Sequence, residues 1–129
     1  MHYTEVTHWP FKNFSPQELS CRCCGEFEPL YDHINMLQKA RVFAGVPFRI
    51  NCGHRCFLHN ARVGGAPMSE HKKLAFDIDV SRVNRHTVLY ACKKAGFTGF
   101  GYYQTFLHVD RGRKRFWYGD KLAEALWNG

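Results

Sequence analysis

The segment from Leu74 to Val80 carries the strictest residue pattern in the chain and most limits the folds open to it. Apolar side chains alternate there with smaller or acidic ones, in the order Leu74, Ala75, Phe76, Asp77, Ile78, Asp79, Val80. Because successive side chains of a β-strand point to opposite faces, this alternation predicts a strand with one apolar face. The other face then carries the carboxylates of Asp77 and Asp79.

Further strands are predicted by short runs rich in aromatic and β-branched residues. The runs are Phe48 to Ile50, Phe100 to Tyr103 and Phe106 to Arg111. Gln104 and Thr105 separate the last two. The period of two residues places His108 and Asp110 on one face of the last strand. The first run leads into a glycine-containing turn that ends at Arg55, a place where functional side chains can be presented.

Three helices and a loop complete the prediction. Helical periodicity covers about Pro29 to Phe43, Arg85 to Lys94 and Lys121 to Trp127, while Asn60 to Glu70 is predicted as loop. Gly45 and Gly96 follow the first two helices at the favoured position for a stop. Since helices and strands do not alternate regularly, we expect an α+β fold with a small, mainly antiparallel sheet and packed helices. The carboxylate-bearing and histidine-bearing strands are expected to be neighbours.

Length and composition limit the organisation and the partners of the chain. It has 129 residues and is 45% hydrophobic, which predicts a single domain over 1–129 with one site, and we expect a monomer. The formal charge of +7 favours anionic partners, but no nucleic-acid-binding motif accompanies it, so no nucleic-acid partner is expected. The N-terminus lacks the pattern of a secretory signal and no stretch is apolar enough to span a bilayer. We therefore expect synthesis in a cytoplasm and no membrane insertion.

The six cysteines leave three interpretations open. They are Cys21, Cys23, Cys24, Cys52, Cys56 and Cys92. A disulfide set suits a secreted domain, whereas reduced thiols or metal ligands suit a chain without a signal. All but Cys92 are candidates for a second, structural zinc site, although their spacing differs from that of a standard zinc finger.

Several motifs, taken in order, resemble those of a known enzyme family. Ser69-Glu-His71-Lys-Lys-Leu-Ala75-Phe-Asp77 and His108-Val-Asp110 resemble the Ser-x-His-x-x-Gly-x-Ala-x-Asp and His-x-Asp motifs of the zinc D-alanyl-D-alanine carboxypeptidase family. This family includes phage L-alanyl-D-glutamate endopeptidases and shares its fold with the Hedgehog signalling domain. Cys52-Gly-His-Arg55 is similar to its Ser-Gly-Tyr-Arg turn, 60–69 to its loop before the first ligand, and 13–19 to its opening. The resemblance covers roughly residues 13 to 118.

The resemblance implies a Hedgehog/DD-peptidase-like fold and a zinc site. His71, Asp77 and His108 would bind Zn²⁺, leaving an open position at which the metal acidifies an attacking water. The sequence is one residue shorter than the family motif between His71 and Asp77 and lacks its glycine. Asp77 remains the expected ligand when the motif is aligned from its later residues, and Asp79 is the alternative.

The resemblance also implies roles for residues around the metal. Arg55 would bind a peptide carboxylate or carbonyl oxygen, with a structural arginine as the alternative, and Ser69 would bind substrate or cap a loop. Some family members carry the general base three residues before the last ligand, where this chain has Thr105. Asp110 is therefore the candidate base, or else a carboxylate that orients a histidine. Tyr103 would contact the substrate and stabilise an oxyanion, or simply pack as an aromatic.

The implied function is hydrolysis of peptide bonds in the stem peptides of bacterial peptidoglycan. Both a D,D-carboxypeptidase and an endopeptidase fit, and a phage endolysin that a separate holin-type membrane protein releases to the wall is one setting. The missing glycine motivates a second hypothesis, a non-catalytic module of the same fold that binds wall peptides through an impaired metal site. Zinc content distinguishes the two.

Overall fold

A computed structural model describes residues 1–65, 71 and 74–129. Among these, four helices and five strands follow in the order α1 (Tyr31–Ala44), β1 (Ile50–Cys52), α2 (Phe57–Arg62), β2 (Phe76–Asp79), α3 (Arg85–Ala95), β3 (Gly99–Tyr102), β4 (Phe106–Asp110), β5 (Arg115–Tyr118) and α4 (Lys121–Asn128). Two short 3-10 turns, Tyr3–Glu5 and Gln17–Leu19, precede them. No described helix has the length and apolar character needed to cross a membrane.

The five strands form one sheet in the order β1-β2-β4-β3-β5. Neighbouring strands are antiparallel, except that β3 and β5 are parallel. The predicted α+β fold with a mainly antiparallel sheet is therefore confirmed, and β2 and β4 are direct neighbours as expected.

One face of the sheet and the two longer helices share a single apolar core. The fully buried members of the alternating pattern in β2, Phe76 and Ile78, pair with Val109 and Leu107 of β4 on that face. The helices contribute Ile34, Leu37 and Ala40 from α1 and Val88, Ala91 and Cys92 from α3. Burial of these side chains leaves the opposite face of the sheet to carry the polar residues of the alternation.

The helix boundaries follow local chemistry at their ends. Asn84 starts α3, because its side-chain oxygen accepts hydrogen bonds from the backbone N–H groups of His86 and Thr87. Gly45 and Gly96 end α1 and α3 with φ angles of 68° and 112°, which only glycine adopts at little cost.

Three elements differ from the sequence predictions. β1 lies two residues later than the run predicted from Phe48, and α2 occupies Phe57–Arg62, whose last three residues were predicted as the start of a loop. α2 is only six residues long and has too few turns to show a helical period. β5 was not predicted; its pairing with β3 decides its conformation.

Candidate metal centre

A single row of cross-strand partners positions the ligand-type side chains on the face opposite the core. The register pairs Cys52 with Asp77, Asp77 with His108, His108 with Gly101, and Gly101 with Trp117. Partners that lie directly opposite each other project to the same face, so one row crosses all five strands. An irregularity in β1 between Ile50 and Cys52 redirects the Cys52 side chain to this face.

The side chains of His71, Asp77 and His108 meet in a nearly equilateral triangle. Each of the three distances is 3.1 Å, from His71 Nε2 to Asp77 Oδ1, from His108 Nδ1 to Asp77 Oδ1, and between the two imidazole nitrogens. Tetrahedral zinc with bonds of about 2.0–2.1 Å separates its nitrogen and oxygen ligands by about 3.3–3.4 Å. The three atoms therefore fit three corners of a zinc site, and the fourth is left for water or substrate.

The hydrogen bonds of both histidines orient them toward this triangle. His71 Nδ1–H donates to the carbonyl oxygen of Gly53 at 2.7 Å, and His108 Nε2–H donates to Asp110 Oδ2 at 2.7 Å. Because both partners can only accept, His71 Nε2 and His108 Nδ1 turn their lone pairs toward Asp77 whenever the rings are neutral. Three acceptor atoms this close together repel one another unless a proton or a cation lies between them.

Electrostatics within the triangle favours a cation. Burial disfavours a charged His71, but the hydrogen bonds with Asp77 and Cys52 and the charges of both groups together outweigh it and raise the pKa of His71 to about 10. Burial likewise disfavours the Asp77 carboxylate, yet hydrogen bonds with His108 and His71 hold the pKa of Asp77 well below its usual range. Asp77 is thus an anionic ligand at neutral pH, and the negative charge that holds a proton on His71 is the charge that would bind a metal ion.

Asp110 lies behind His108, on the ring edge opposite the triangle. It is 1% exposed and accepts four hydrogen bonds, from His108 Nε2, from Arg115 Nη1 and Nη2 at 2.7 and 2.8 Å, and from the Gly112 N–H at 2.9 Å. Burial raises the pKa of Asp110, but the bonds with His108 and Arg115 lower it well below its usual range. Asp110 is therefore a buried carboxylate that fixes the ring of His108, and both of its oxygens already accept hydrogen bonds from His108, Arg115 and Gly112.

Two glycines of β3 let β5 reach the residues of β4. Gly99 lies in register between Asp110 and Arg115, and a Cβ atom there would collide with both side chains. Gly101 lies in the same way between His108 and Trp117, and its Cβ would lie 2.6 Å from the Trp117 ring. Because neither glycine has a side chain, Arg115 can hydrogen-bond to Asp110 across Gly99, and the ring centroids of Trp117 and His108 lie 5.1 Å apart across Gly101.

Tyr103 joins this group through Trp117. Its hydroxyl accepts a hydrogen bond from Trp117 Nε1–H at 2.9 Å, and its ring stacks on Phe106 with centroids 4.4 Å apart. Trp127 of α4 donates to the Tyr103 carbonyl at 2.8 Å, which anchors the backbone. An accepting hydroxyl keeps its own proton for a further bond, so Tyr103 combines a packed ring with an available donor.

The remaining predicted residues lie on the β1 side. The Arg55 N–H donates to the His71 carbonyl at 2.7 Å, and a Cβ on Gly65 would lie 2.8 Å from the Arg55 guanidinium. Ser69 lies outside the described residues. Cys52 Sγ lies within 4.8 Å of the ligand atoms of His71 and Asp77, which makes a thiol a further neighbour of the triangle.

Sequence reasoning missed Arg115 and Trp117. The sequence does hold a signal for them. Arg115 and Trp117 are two residues apart, as are Gly99 and Gly101, so each pair lies on one face of its strand. Without the knowledge that these stretches pair in parallel, neither pattern indicates a site. The structure thus brings together the three predicted ligands. Asp110 is hydrogen-bonded to the far edge of the His108 ring, and the backbone of Arg55 is hydrogen-bonded to that of His71.

An α+β sheet that presents two histidines and an aspartate in this geometry is typical of metal-dependent hydrolases. The family model of Peptidase M15 matches residues 12–110, which include all three predicted ligands and the carboxylate behind them. The chain belongs to the Peptidase M15 family, whose members are metallopeptidases, typically zinc-dependent. No curated protein sequence matches the chain.

Proposed function

We propose that the chain is a zinc metallopeptidase, one domain over 1–129, that hydrolyses peptide bonds in the stem peptides of bacterial peptidoglycan. The observation that carries the proposal is the triangle of His71, Asp77 and His108, with 3.1 Å between each pair of ligand atoms. Family membership supports a peptidase, and the triangle supports the metal that family members use.

His71, Asp77 and His108 would hold the zinc ion. Zinc bound there would supply a Lewis acid that polarises the scissile carbonyl and lowers the pKa of a water molecule, so that hydroxide becomes available as the nucleophile. The protein prepares the site by fixing both imidazoles, His71 through the Gly53 carbonyl and His108 through Asp110. Ligands held in one orientation lose little freedom when the metal binds, so the site is preorganised.

Asp110 acts in this proposal as a positioning residue rather than as the general base. Its Oδ2 atom accepts the proton of the His108 nitrogen that faces away from the triangle, and Arg115 binds both carboxylate oxygens. A base must reach the proton of the attacking water, which lies at the open corner. The geometry favours the orienting role over proton transfer.

Arg55 and Tyr103 are the proposed substrate contacts. The planar guanidinium of Arg55 suits the carboxylate of a stem peptide, and its backbone is bonded to His71. The Tyr103 hydroxyl accepts from Trp117, and its own proton can be donated to a developing oxyanion. Ser69, which precedes His71 by two residues, remains a proposed substrate contact from its motif alone.

The shortened spacing between His71 and Asp77 also motivates the second candidate, a wall-binding module without catalysis. The ligand atoms of the two residues nevertheless approach to 3.1 Å, so the loss of one residue and of the motif glycine does not keep them apart. This contact favours the enzyme.

The positive charge supports adsorption to an anionic wall, and we propose an endolysin-like setting in which the protein is made in a cytoplasm and reaches the wall through a separate membrane protein.

The test combines metal content with two substrates. The zinc-loaded chain is incubated with a pentapeptide ending in D-Ala-D-Ala and with purified peptidoglycan, with and without a chelator. Release of free D-alanine identifies a carboxypeptidase, whereas new amino termini without free D-alanine identify an endopeptidase. His108→Ala should remove the zinc ion of the triangle and abolish cleavage, and the matched control His8→Ala, which removes an exposed histidine of the N-terminal segment, should do neither.

The opposite result is equally informative. If the folded chain, supplied with zinc, cleaves neither substrate and His108→Ala binds as much zinc as the wild type, the peptidase proposal is wrong. Retention of the same chain on insoluble peptidoglycan would then support the binding module.

A further inference from the structure

Four cysteines outside the metal triangle form a second group of ligand-type side chains. We call Cys21, Cys23, Cys24 and Cys56 the cysteine cluster, since their Sγ atoms all lie within 4.8 Å of one another. Three of them belong to the turn that follows Gln17–Leu19, and Cys56 lies directly before α2. The cluster therefore joins two segments that are more than thirty residues apart in sequence.

The sulfur separations fit a metal site better than a disulfide. Cys23 Sγ lies 3.5 Å from Cys21 Sγ and 3.4 Å from Cys56 Sγ. A disulfide requires about 2.05 Å. Tetrahedral zinc with Zn–S bonds of about 2.3 Å separates its sulfur ligands by about 3.8 Å, close to the observed distances.

The backbone around the cluster is arranged to stabilise thiolates. The Cys56 N–H donates to Cys21 Sγ at 3.4 Å, and the Gly25 N–H donates to the Cys21 carbonyl at 2.9 Å, which closes the turn. Gly25 has a φ of 75°, so the turn after Cys24 uses a conformation that favours glycine. Cys21 and Cys24 are separated by two residues, the spacing of many zinc-ligand pairs.

The acid–base behaviour of the thiols agrees with this arrangement. Burial disfavours the Cys21 thiolate, but backbone N–H groups of Cys56 and Cys23 lower the pKa of Cys21 to about 7. Hydrogen bonds with the Cys56 and Cys21 sulfurs raise the pKa of Cys23 to about 12.

We propose that the cysteine cluster holds a second zinc ion, in a closed tetrahedral site of four thiolates. Four protein ligands leave no position for water, so this site is structural and distinct from the triangle. Soft thiolate ligands in tetrahedral geometry select zinc, or iron as the competing metal. Cys52 and Cys92 do not belong to it, because Cys52 neighbours the triangle and Cys92 is fully buried in α3.

The position of the cluster gives the second zinc a role in the candidate active site. Cys56 directly follows Arg55, whose N–H is bonded to the His71 carbonyl, and the His54 N–H donates to the Leu19 carbonyl at 3.0 Å. A metal bound to Cys21 and Cys56 would tie the N-terminal turn to the segment that carries Arg55. The same tie would hold the Gly53 carbonyl, which orients His71.

The experiment measures metal content and cobalt spectra of the full chain, purified under reducing conditions. We expect about two zinc ions per wild-type chain, about one in His108→Ala and about one in Cys56→Ser, with about two retained in the control Cys92→Ala. In the Co²⁺-substituted protein, thiolate-to-cobalt charge-transfer absorption should persist in His108→Ala and disappear in Cys56→Ser. The two variants thereby report on the triangle and the cysteine cluster separately, and neither the metal content nor the cobalt spectrum depends on peptidase activity.

Other results would overturn the proposal. One is the absence of thiolate-to-cobalt absorption in the folded, reduced wild-type chain; another is absorption of equal intensity in Cys56→Ser. If Cys56→Ser fails to fold, the His108→Ala spectrum decides, since a missing charge-transfer band there rejects the cluster as the site. Iron in place of zinc in the purified chain would retain the site but reject the assigned metal.

Discussion

Replacement of Asp110 by asparagine tests whether this carboxylate orients a metal ligand or transfers protons. Asp110 Oδ2 accepts from His108 and Arg115, and Oδ1 accepts from Arg115 and Gly112. In asparagine an NH₂ group replaces one of these two oxygens. The two hydrogen bonds that this oxygen accepted are lost, and the NH₂ group faces the N–H donors of the former partners. When the amide nitrogen faces His108, it favours a proton on Nδ1, the atom that belongs to the triangle.

The magnitude follows from this loss. Removal of a partner that orients a metal-binding histidine costs about 10–100-fold in metal affinity, or about 1.4–2.7 kcal/mol. Arg115 is 23% exposed and can turn toward water, so we expect the free energy of unfolding without metal to fall by only about 1–3 kcal/mol. The change should therefore weaken zinc binding while the chain still folds.

The assay is competition for zinc against a chromophoric chelator, with kcat, KM and urea unfolding measured on the same samples. Asp32→Asn, which alters an exposed carboxylate in the first turn of α1, is the control and should change none of these values appreciably. Unchanged zinc affinity in Asp110→Asn would refute the orienting role. Unchanged affinity together with a large fall in kcat and the loss of one limb of the pH–rate profile would instead support Asp110 as the general base.

Five further substitutions separate the roles of the proposed site from those of the surrounding fold. Asp79→Asn should leave the zinc affinity of the triangle unchanged and Asp77→Asn should abolish it, measured by the same competition, because only Asp77 lies within the triangle. Arg55→Lys keeps the charge but loses the planar fork, so KM for a carboxylate-bearing peptide should rise about tenfold with kcat little changed. Gly101→Ala places a Cβ against an aromatic ring of β5 and should lower the free energy of unfolding by about 1–3 kcal/mol in urea titrations. Asn84→Ala removes the cap of α3, which should cost about 1 kcal/mol of stability and leave peptide cleavage at wild-type rates.

Local patterns determined most of the secondary structure and the identity of the candidate ligands. The alternation around Asp77 and the His-Val-Asp pattern at His108 predicted two strands with polar faces, and the structure pairs these residues directly in adjacent strands. Gly45 and Gly96 predicted the ends of two helices, because a left-handed residue after a helix is a local requirement. These features could be predicted because strand alternation and helix termination depend on residues close in sequence.

Contacts between distant segments were decided only by the tertiary structure. His71 meets His108, thirty-seven residues later, in a geometry that neither strand pattern specifies. β5 forms because it pairs in parallel with β3, and the two glycines of β3 matter only once Arg115 and Trp117 lie beside them.

The sequence by itself therefore determined which residues were available for chemistry, and the fold decided which of them meet. The spacing of the cysteines left several interpretations open, and only the approach of the turn after Gln17–Leu19 to the segment before α2 gathers four of them. The physical reason is that sheet register and loop closure depend on the packing of the whole core, whereas residue patterns report only the face on which each side chain lies.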